Sequence, residues 1–311
     1  MKKYFLKKLA ISVITLILIV LILFLMMDMM PGSPFNNPKL TEAQKAQLMA
    51  SYGLDKPVFI RFLMYLKNIL HGDFGVSYTL SVNTPVSQII AARLPISMAI
   101  GAAAMVIGSI LGLALGYFAA FHAGKAGDMI CLILFVIGIS VPSFIFAIVI
   151  SYFFGFEWNI FPLLYDFRQP VLSSIMAVSS MSIYVMAVVG RYTRDEASAV
   201  LKSDYVQFAV SQGISQRKIL RYYVIRNSMM GVITVMAMLL VGLLTGSLVT
   251  EQIFAIPGIG FLMSKAISAN DYNVVIALAF VFAAIYVTAR LILDVLYGLI
   301  DPRVRVGGRA E

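Results

Sequence analysis

The chain has 311 residues, of which 60% are apolar and only 13% charged, with a net charge of +9. That balance excludes a soluble two-domain enzyme and describes a polytopic membrane protein. In a soluble protein the positive charge would point to nucleic acid; here the basic residues flank apolar runs, where they set orientation, so no nucleic-acid partner is expected.

Lys2, Lys3, Lys7 and Lys8 precede an apolar run over residues 9–30. As a helix it spans about 33 Å, enough for a hydrocarbon core of roughly 30 Å. It is too long for the core of a signal peptide and no small-x-small site follows, so residues 1–30 are expected as a cytoplasmic tip and a retained first span. Pro31-Gly-Ser-Pro34 breaks it and opens an external segment, residues 31–95. Within that segment Thr41 with Gln44 predicts a capping box and Gly53 a stop, hence one short helix. Pro57 opens a second, with Val58, Phe62, Leu66 and Ile69 on one face, to lie along the membrane surface or under a neighbour.

Residues 96–300 are expected to form a core of five further spans. The second span, residues 96–121, carries Ala104, Gly108, Gly112, Gly116 and Ala120 at every fourth position, a small-residue stripe suited to close helix approach. Packing inside this chain is its favoured use, over contact with a second subunit. Ala123-Gly-Lys-Ala-Gly127 is a tight turn and not a phosphate-binding loop, since no Ser or Thr follows Lys125. A third span over 128–155 should kink at Pro142 and buries the lone Cys131 as packing. Trp158 and Tyr165 suit the headgroup zone of an external loop. Spans over 171–190 and 228–250 enclose a polar segment, 191–227, and a last span runs from Asp271-Tyr272 to about residue 300 before a tail at 301–311. Neither His71 nor His122 lies in a span, so no metal site is expected.

Six spans put both termini on one side. That side carries four lysines and arginines at the N-terminus, one in 122–127, seven in 191–227 and three in 303–309; the other side carries eight, six of them in the long external segment. The richer side is cytoplasmic. On it lies the longest polar island, Asp204-Tyr-Val-Gln-Phe-Ala-Val-Ser-Gln-Gly213. Asp204 reads as N-cap with Gln207 three residues on, and Gly213 as the stop. Tyr205, Phe208 and Ala209 fall at i, i+3, i+4 on one face of a two-turn helix, too short to stand alone in water. By residues alone this is either an amphipathic connector or an element inserted into a partner. Inside the last span Arg290 and Asp294, four apart, read as an intramembrane ion pair of structural role rather than a substrate contact.

The segment 204–227 resembles the EAA loop of bacterial ABC importer permeases, in the form of the oligopeptide/dipeptide branch. Asp204, Tyr205, Val206, Ala209, Gly213 and the pair Arg226-Asn227 match; Gln207-Phe208 and Tyr223 depart from it. Further motifs of that family stand in order along the chain: Pro31-Gly32, Gly53-Leu-Asp-Lys-Pro57, Gly72-Asp-Phe-Gly75, Pro85-Val86, Arg93-Leu-Pro95, Val141-Pro-Ser-Phe144, Glu251-Gln-Ile-Phe-Ala-Ile-Pro-Gly-Ile-Gly260 and Asp301-Pro-Arg303. The resemblance implies an all-α, six-span type I permease fold with cytoplasmic termini. It implies transport of oligopeptides, with dipeptide, glutathione and nickel permeases sharing the motifs. It also implies a second homologous permease subunit, two cytoplasmic ATPase subunits that bind ATP and Mg, and an external peptide-binding protein. Asp204, Tyr205, Gln207, Phe208, Ala209 and Gly213 would then form the coupling helix. No Walker motif is present, so the chain itself is expected to hold no cofactor and not to be an enzyme. An intramembrane protease would need paired carboxylates or nucleophile–base pairs, and a channel a filter or charge ring; neither pattern is present.

Overall fold

The computed structural model describes residues 2–29, 42–51, 53, 55–244 and 246–300. Pro31-Gly-Ser-Pro34, the Thr41 cap and the 301–311 tail with Asp301-Pro-Arg303 lie outside the described residues, as do the side chains of Asp28 and Asp294. The regular elements are helices, the expected all-α class. In chain order they are α1 (Lys2–Met29), α2 (Glu42–Ser51), α3 (Val58–Ile69), α4 (Val86–Phe121), α5 (Ala126–Ser140), α6 (Ser143–Ile150), α7 (Pro170–Leu201), α8 (Asp204–Ser211), α9 (Gln216–Lys218), α10 (Ile225–Leu244), α11 (Leu248–Ile253), α12 (Ile259–Ser268) and α13 (Tyr272–Ile300). Two π-helical segments, Ser151–Glu157 and Ile219–Val224, continue α6 and join α9 to α10.

Four stretches among the described residues are long and apolar enough to cross a membrane: Val86–Phe121, Pro170–Leu201, Gln216–Leu244 and Tyr272–Ile292. The pair Ala126–Ser140 and Ser143–Glu157 adds a fifth if its halves form one span, and α1 contributes the apolar stretch Ala10–Met26.

The chain divides into two units, Met1–Ile96 with Pro257–Glu311, and Ser97–Ile256. In the first, Val20 and Phe24 of α1 bury against Phe62 and Tyr65 of α3 and a block from Val274 to Leu278 in α13. Phe24 meets the Phe62 ring edge-on at 5.9 Å. The expected face of α3 is confirmed: Phe62 is buried, and Val58, Leu66 and Ile69 pack on the same cluster. Its partners on that face are α1 and α13. Gly53 stops α2 as expected, at φ +66°.

Here too the second span begins ten residues early, at Val86, with Pro95 inside the helix. An internal proline removes one hydrogen bond and costs about 3 kcal/mol. Val86 and Ile90, both buried on one face, hold the extra turns in place against that cost. The segment before it is tied down from far along the chain. Asp271, fully buried, accepts hydrogen bonds from the Ser77 hydroxyl (2.5 Å) and from the backbone N–H groups of Tyr78, Thr79 and Leu80 at 3.1–3.2 Å.

In the second unit α7 is the central helix. A Cβ on Gly108 would sit 2.5 Å from Val185, on Gly112 2.8 Å from the Met186 carbonyl, and on Gly116 2.6 Å from the Gly190 carbonyl. The small-residue stripe therefore seats α7 within this chain. Phe135 fills the space over Gly190, and Cys131 is a buried free thiol in the same cluster. Two boundaries differ from expectation. The third span bends at Pro142 as expected, but the bend is a full break: α5 and α6 meet at 100° across Val141-Pro142. Val141 is extended, as the residue before proline prefers, and the missing proline N–H ends the ladder. The fifth span stops at Leu244 rather than at residue 250, because Gly246 turns at φ +79° and Ser247 caps the new helix α11.

Candidate functional site

The polar island is the helix α8, entered directly from α7. Its cap differs from expectation. Ser203, extended, is the N-cap and Asp204 the first helical residue. Asp204 still places its carboxylate at the positive end of the helix dipole. The capping box does not close, because the Gln207 amide donates instead to the Leu201 carbonyl at 2.9 Å. That carbonyl is one of the last of α7 and has no partner within its own helix. The C-terminus matches expectation in full. Gly213 takes φ +77°, its N–H reaches the Val210 carbonyl (2.9 Å), and the Ile214 N–H reaches that of Ala209 (3.2 Å). This is a Schellman motif.

The expected common face splits. Val206 and Ala209 are 1% and 3% exposed, whereas Tyr205 is 47% and Phe208 64% exposed. Ala209 thus turns inward, with Val206, onto Ala120, Ala197, Ile219 and Val224. The π-helical segment places Ile219 and Val224, five apart, on that one cluster. The inner face holds α8 on its own chain; Tyr205, Phe208 and the 52%-exposed Val210 remain as outward apolar groups. The sequence reading missed Val206 and Val210. The Val206–Ala209 spacing is i, i+3, so the inner face was legible as a second solution to the same periodicity.

At the root of this arm lies an ion pair that spacing could not reveal. Arg194 of α7 grips Asp128 of α5 through two bonds, Nε to Oδ1 at 3.0 Å and Nη2 to Oδ2 at 2.9 Å. The Gly124 N–H adds a third at 3.0 Å, so the tight turn before α5 is fastened to the helix that carries α8. The Asp128 and Arg194 side chains are 4% and 23% exposed.

A cavity of about 360 Å³ in the same unit is lined by Ser143, Met181, Tyr184, Met238, Gly242 and Ser247 among others, and no lining residue is charged. Behind its Gly246 edge lies the buried Glu251, which accepts a 2.6 Å bond from the Ser97 hydroxyl. Arg290 lies within 3.4 Å of the Tyr286 hydroxyl; its expected partner Asp294 has a side chain outside the described residues. Among the described residues no three His, Cys, Asp or Glu side chains converge as metal ligands.

Residues 112–306 match the sequence profile of a family described as the binding-protein-dependent transport system inner membrane component. The chain belongs to this family. The matched span takes in α8, the Asp128–Arg194 pair and the uncharged cavity, so the features above are those of an inner-membrane transport component. Relatives align end to end. A dipeptide transport system permease protein DppB of Lactococcus lactis is 40% identical over 98% of this chain and 100% of its own. DppB of Bacillus subtilis is 34% identical over 98% and 99%. The oligopeptide transport system permease protein OppB of Escherichia coli is 32% identical over 98% and 100%. A crystal structure of an amino acid ABC transporter with histidines shares the fold, with a TM-score of 0.53 at 16% identity over 70% of this chain and 94% of that one.

In such a component the ion pair gives a first prediction. Asp128→Ala removes the two-bond clamp and leaves Arg194 only its 3.1 Å pair with the exposed Asp195, which costs about 3 kcal/mol, the low end for a buried pair because Arg194 keeps that partner and some access to water. Thermal unfolding of the solubilised chain is expected to shift accordingly, and Arg194→Lys to shift it less, since charge survives without the fork. An Asp128→Ala chain that melts like the wild type would refute the clamp.

Proposed function

We propose that the chain is one permease subunit of an ATP-driven peptide importer. The observation that carries this reading is α8: a short helix whose inner face is anchored by Val206 and Ala209 and whose outer face presents Tyr205 and Phe208. An outward apolar pair on an anchored helix is the form of a docking element. Its occupant is a cytoplasmic ATPase subunit, one of two, and those subunits hold ATP and Mg. A second, homologous permease subunit completes the path, and an external binding protein delivers cargo. Closure of the ATPases moves α8, and the spans turn the cavity from one side of the bilayer to the other. The spread of lysine and arginine supports a cytoplasmic side for α8 and both termini.

The cargo reading rests on the cavity and on the relatives. Met181 and Met238 give an adaptable apolar wall, Tyr184 and Ser143 give hydrogen-bonding groups, and the lining has no imidazole, thiolate or carboxylate to select a bare metal ion. The sequence motifs point to oligopeptides. The two dipeptide-system relatives exceed the oligopeptide-system one in identity, which supports cargo from dipeptides upward.

In a strain lacking this chain, an amino-acid auxotroph is expected to lose growth on dipeptides and on tri- to hexapeptides, and to regain it on complementation. Unchanged peptide uptake with lost nickel accumulation would overturn the assignment. Orientation has its own test. In a Cys131→Ser background, Leu70→Cys is expected to label from outside and Lys202→Cys only after permeabilisation. Labelling of both in intact cells would sink the topology.

A further inference from the structure

Helix α3 lies outside the family-matched residues 112–306 and takes no part in the coupling or cargo readings above. Of its 12 residues only Arg61, Lys67 and Asn68 are strongly polar, so it is apolar over most of its circumference. A connector in water would carry a broad polar face instead. At about 100° per residue the side chains fall into three sectors. Val58, Phe62, Tyr65 and Ile69 form the sector seated against α1 and α13. Arg61 and Asn68, two turns apart, form a polar stripe that lines a cavity of about 350 Å³ with Asp73 and Asn273. The third sector is apolar and bare: Phe59, Ile60 and Leu63 are 65%, 47% and 49% exposed.

The level of that bare sector is set by α1. Phe24 meets Phe62 at 5.9 Å and Tyr65 at 5.2 Å, and Val20 joins the same cluster. Both α1 residues belong to its apolar stretch Ala10–Met26. They stand about 3 and 9 Å below its Met26 end, at 1.5 Å per residue. The other wall of the cluster, Val274 to Leu278, belongs to the membrane-crossing stretch Tyr272–Ile292. The seat of α3 is therefore at the depth of the hydrocarbon and not above it. At the same level α1 turns Ile22 and Leu25 outward, so the bare sector continues an apolar surface that a spanning helix already presents. Three adjacent bulky side chains left in water would form the kind of patch that soluble surfaces avoid.

We propose that Phe59, Ile60 and Leu63 contact phospholipid acyl chains, making α3 a helix half-embedded in the leaflet at the C-terminal end of α1. In the orientation proposed above this is the outer leaflet, but the embedding depends neither on that orientation nor on the import reading. The bare sector meets lipid and the polar stripe meets water. Lys67, exposed in the last turn, reaches headgroup phosphates along its aliphatic stem. The segment 31–95 is then not wholly outside the membrane, because its middle is pinned into it.

The test places a nitroxide on single cysteines, Phe59→Cys, Leu63→Cys and Asn68→Cys, in a Cys131→Ser background. The other subunits are made cysteine-free, and the assembled transporter is held in phosphatidylethanolamine–phosphatidylglycerol nanodiscs. All three positions are exposed, so the substitutions leave the packing of α3 intact. Collisions with oxygen, which concentrates in lipid, and with nickel-EDDA, which stays in water, report the surroundings of each label. Labels at 59 and 63 are expected to favour oxygen, at a depth of about 5–10 Å below the headgroups. The label at 68 is expected to favour nickel-EDDA. Dominant nickel-EDDA collisions at 59 and 63 would place α3 in external water and overturn the proposal. Few collisions with either reagent would overturn it as well, because another subunit would then cover the sector. Peptide-dependent growth of the auxotroph is unaffected by either result, so failure of the embedding and failure of the import reading are told apart.

Discussion

Phe208→Asp is expected to abolish transport, and with it co-purification of the ATPase subunits, while the chain folds and inserts as before. The ring is 64% exposed on a helix whose stability comes from other residues, so nothing in this chain is lost when it is replaced. A partner that buries the ring would instead meet a charge. Central aromatic anchors of interfaces are worth 2 kcal/mol or more, or about thirtyfold in affinity. Ala209→Trp makes the contrast. At 3% exposed, Ala209 has no room for an indole, and overpacking costs about 1–3 kcal/mol or more in the chain itself. It should lower the unfolding temperature and the membrane level, where Phe208→Asp lowers neither. Uptake at wild-type rate by Phe208→Asp would remove α8 as the coupling element.

Asp271→Ala is expected to be the most damaging single change to the fold. The carboxylate is fully buried and receives the Ser77 hydroxyl and three consecutive backbone N–H groups from a segment nearly 200 residues earlier. Without it the buried Ser77 and Tyr78 donors and the half-buried Thr79 and Leu80 N–H groups lose their acceptor, a loss of roughly 3–5 kcal/mol given about 1–3 kcal/mol for each unmet group and partial rescue by water. The expected readouts are a lower melting temperature in detergent and new protease cleavage between residues 75 and 85. Asp271→Asn keeps one acceptor oxygen and should lie between. Melting and cleavage unchanged in Asp271→Ala would show that the loop is held by something else.

Several features were legible in local pattern. Continuous apolar runs produced the helices, because a backbone in lipid must satisfy its own hydrogen bonds. Gly53 and Gly213 were readable as stops, since only a left-handed residue completes those ends, and both have φ near +70°. The period-four stripe announced a close helix neighbour. The α3 face was visible because 3.6-residue periodicity places Val58, Phe62, Leu66 and Ile69 together.

Other features depend on residues that meet only after folding. Periodicity offers α8 two apolar faces, Tyr205–Phe208 and Val206–Ala209, and nothing local says which is buried. The cluster of Ala120, Ala197, Ile219 and Val224 decides it. The Gln207 amide was expected to close its own cap, but the unpaired Leu201 carbonyl of the preceding helix lies within reach. Pro95 reads as a boundary until the burial of Val86 and Ile90 outweighs one missing hydrogen bond. Asp128 with Arg194, and Asp271 with Ser77, stand 66 and 194 residues apart, so no spacing rule connects them. The sequence by itself determined the class of the molecule, the stops at Gly53 and Gly213 and the apolar periodicity of α8, all set by chemistry within a few turns of chain. Only the tertiary structure decided which faces turn inward and which charges pair, because burial and ion pairing are properties of neighbours in space.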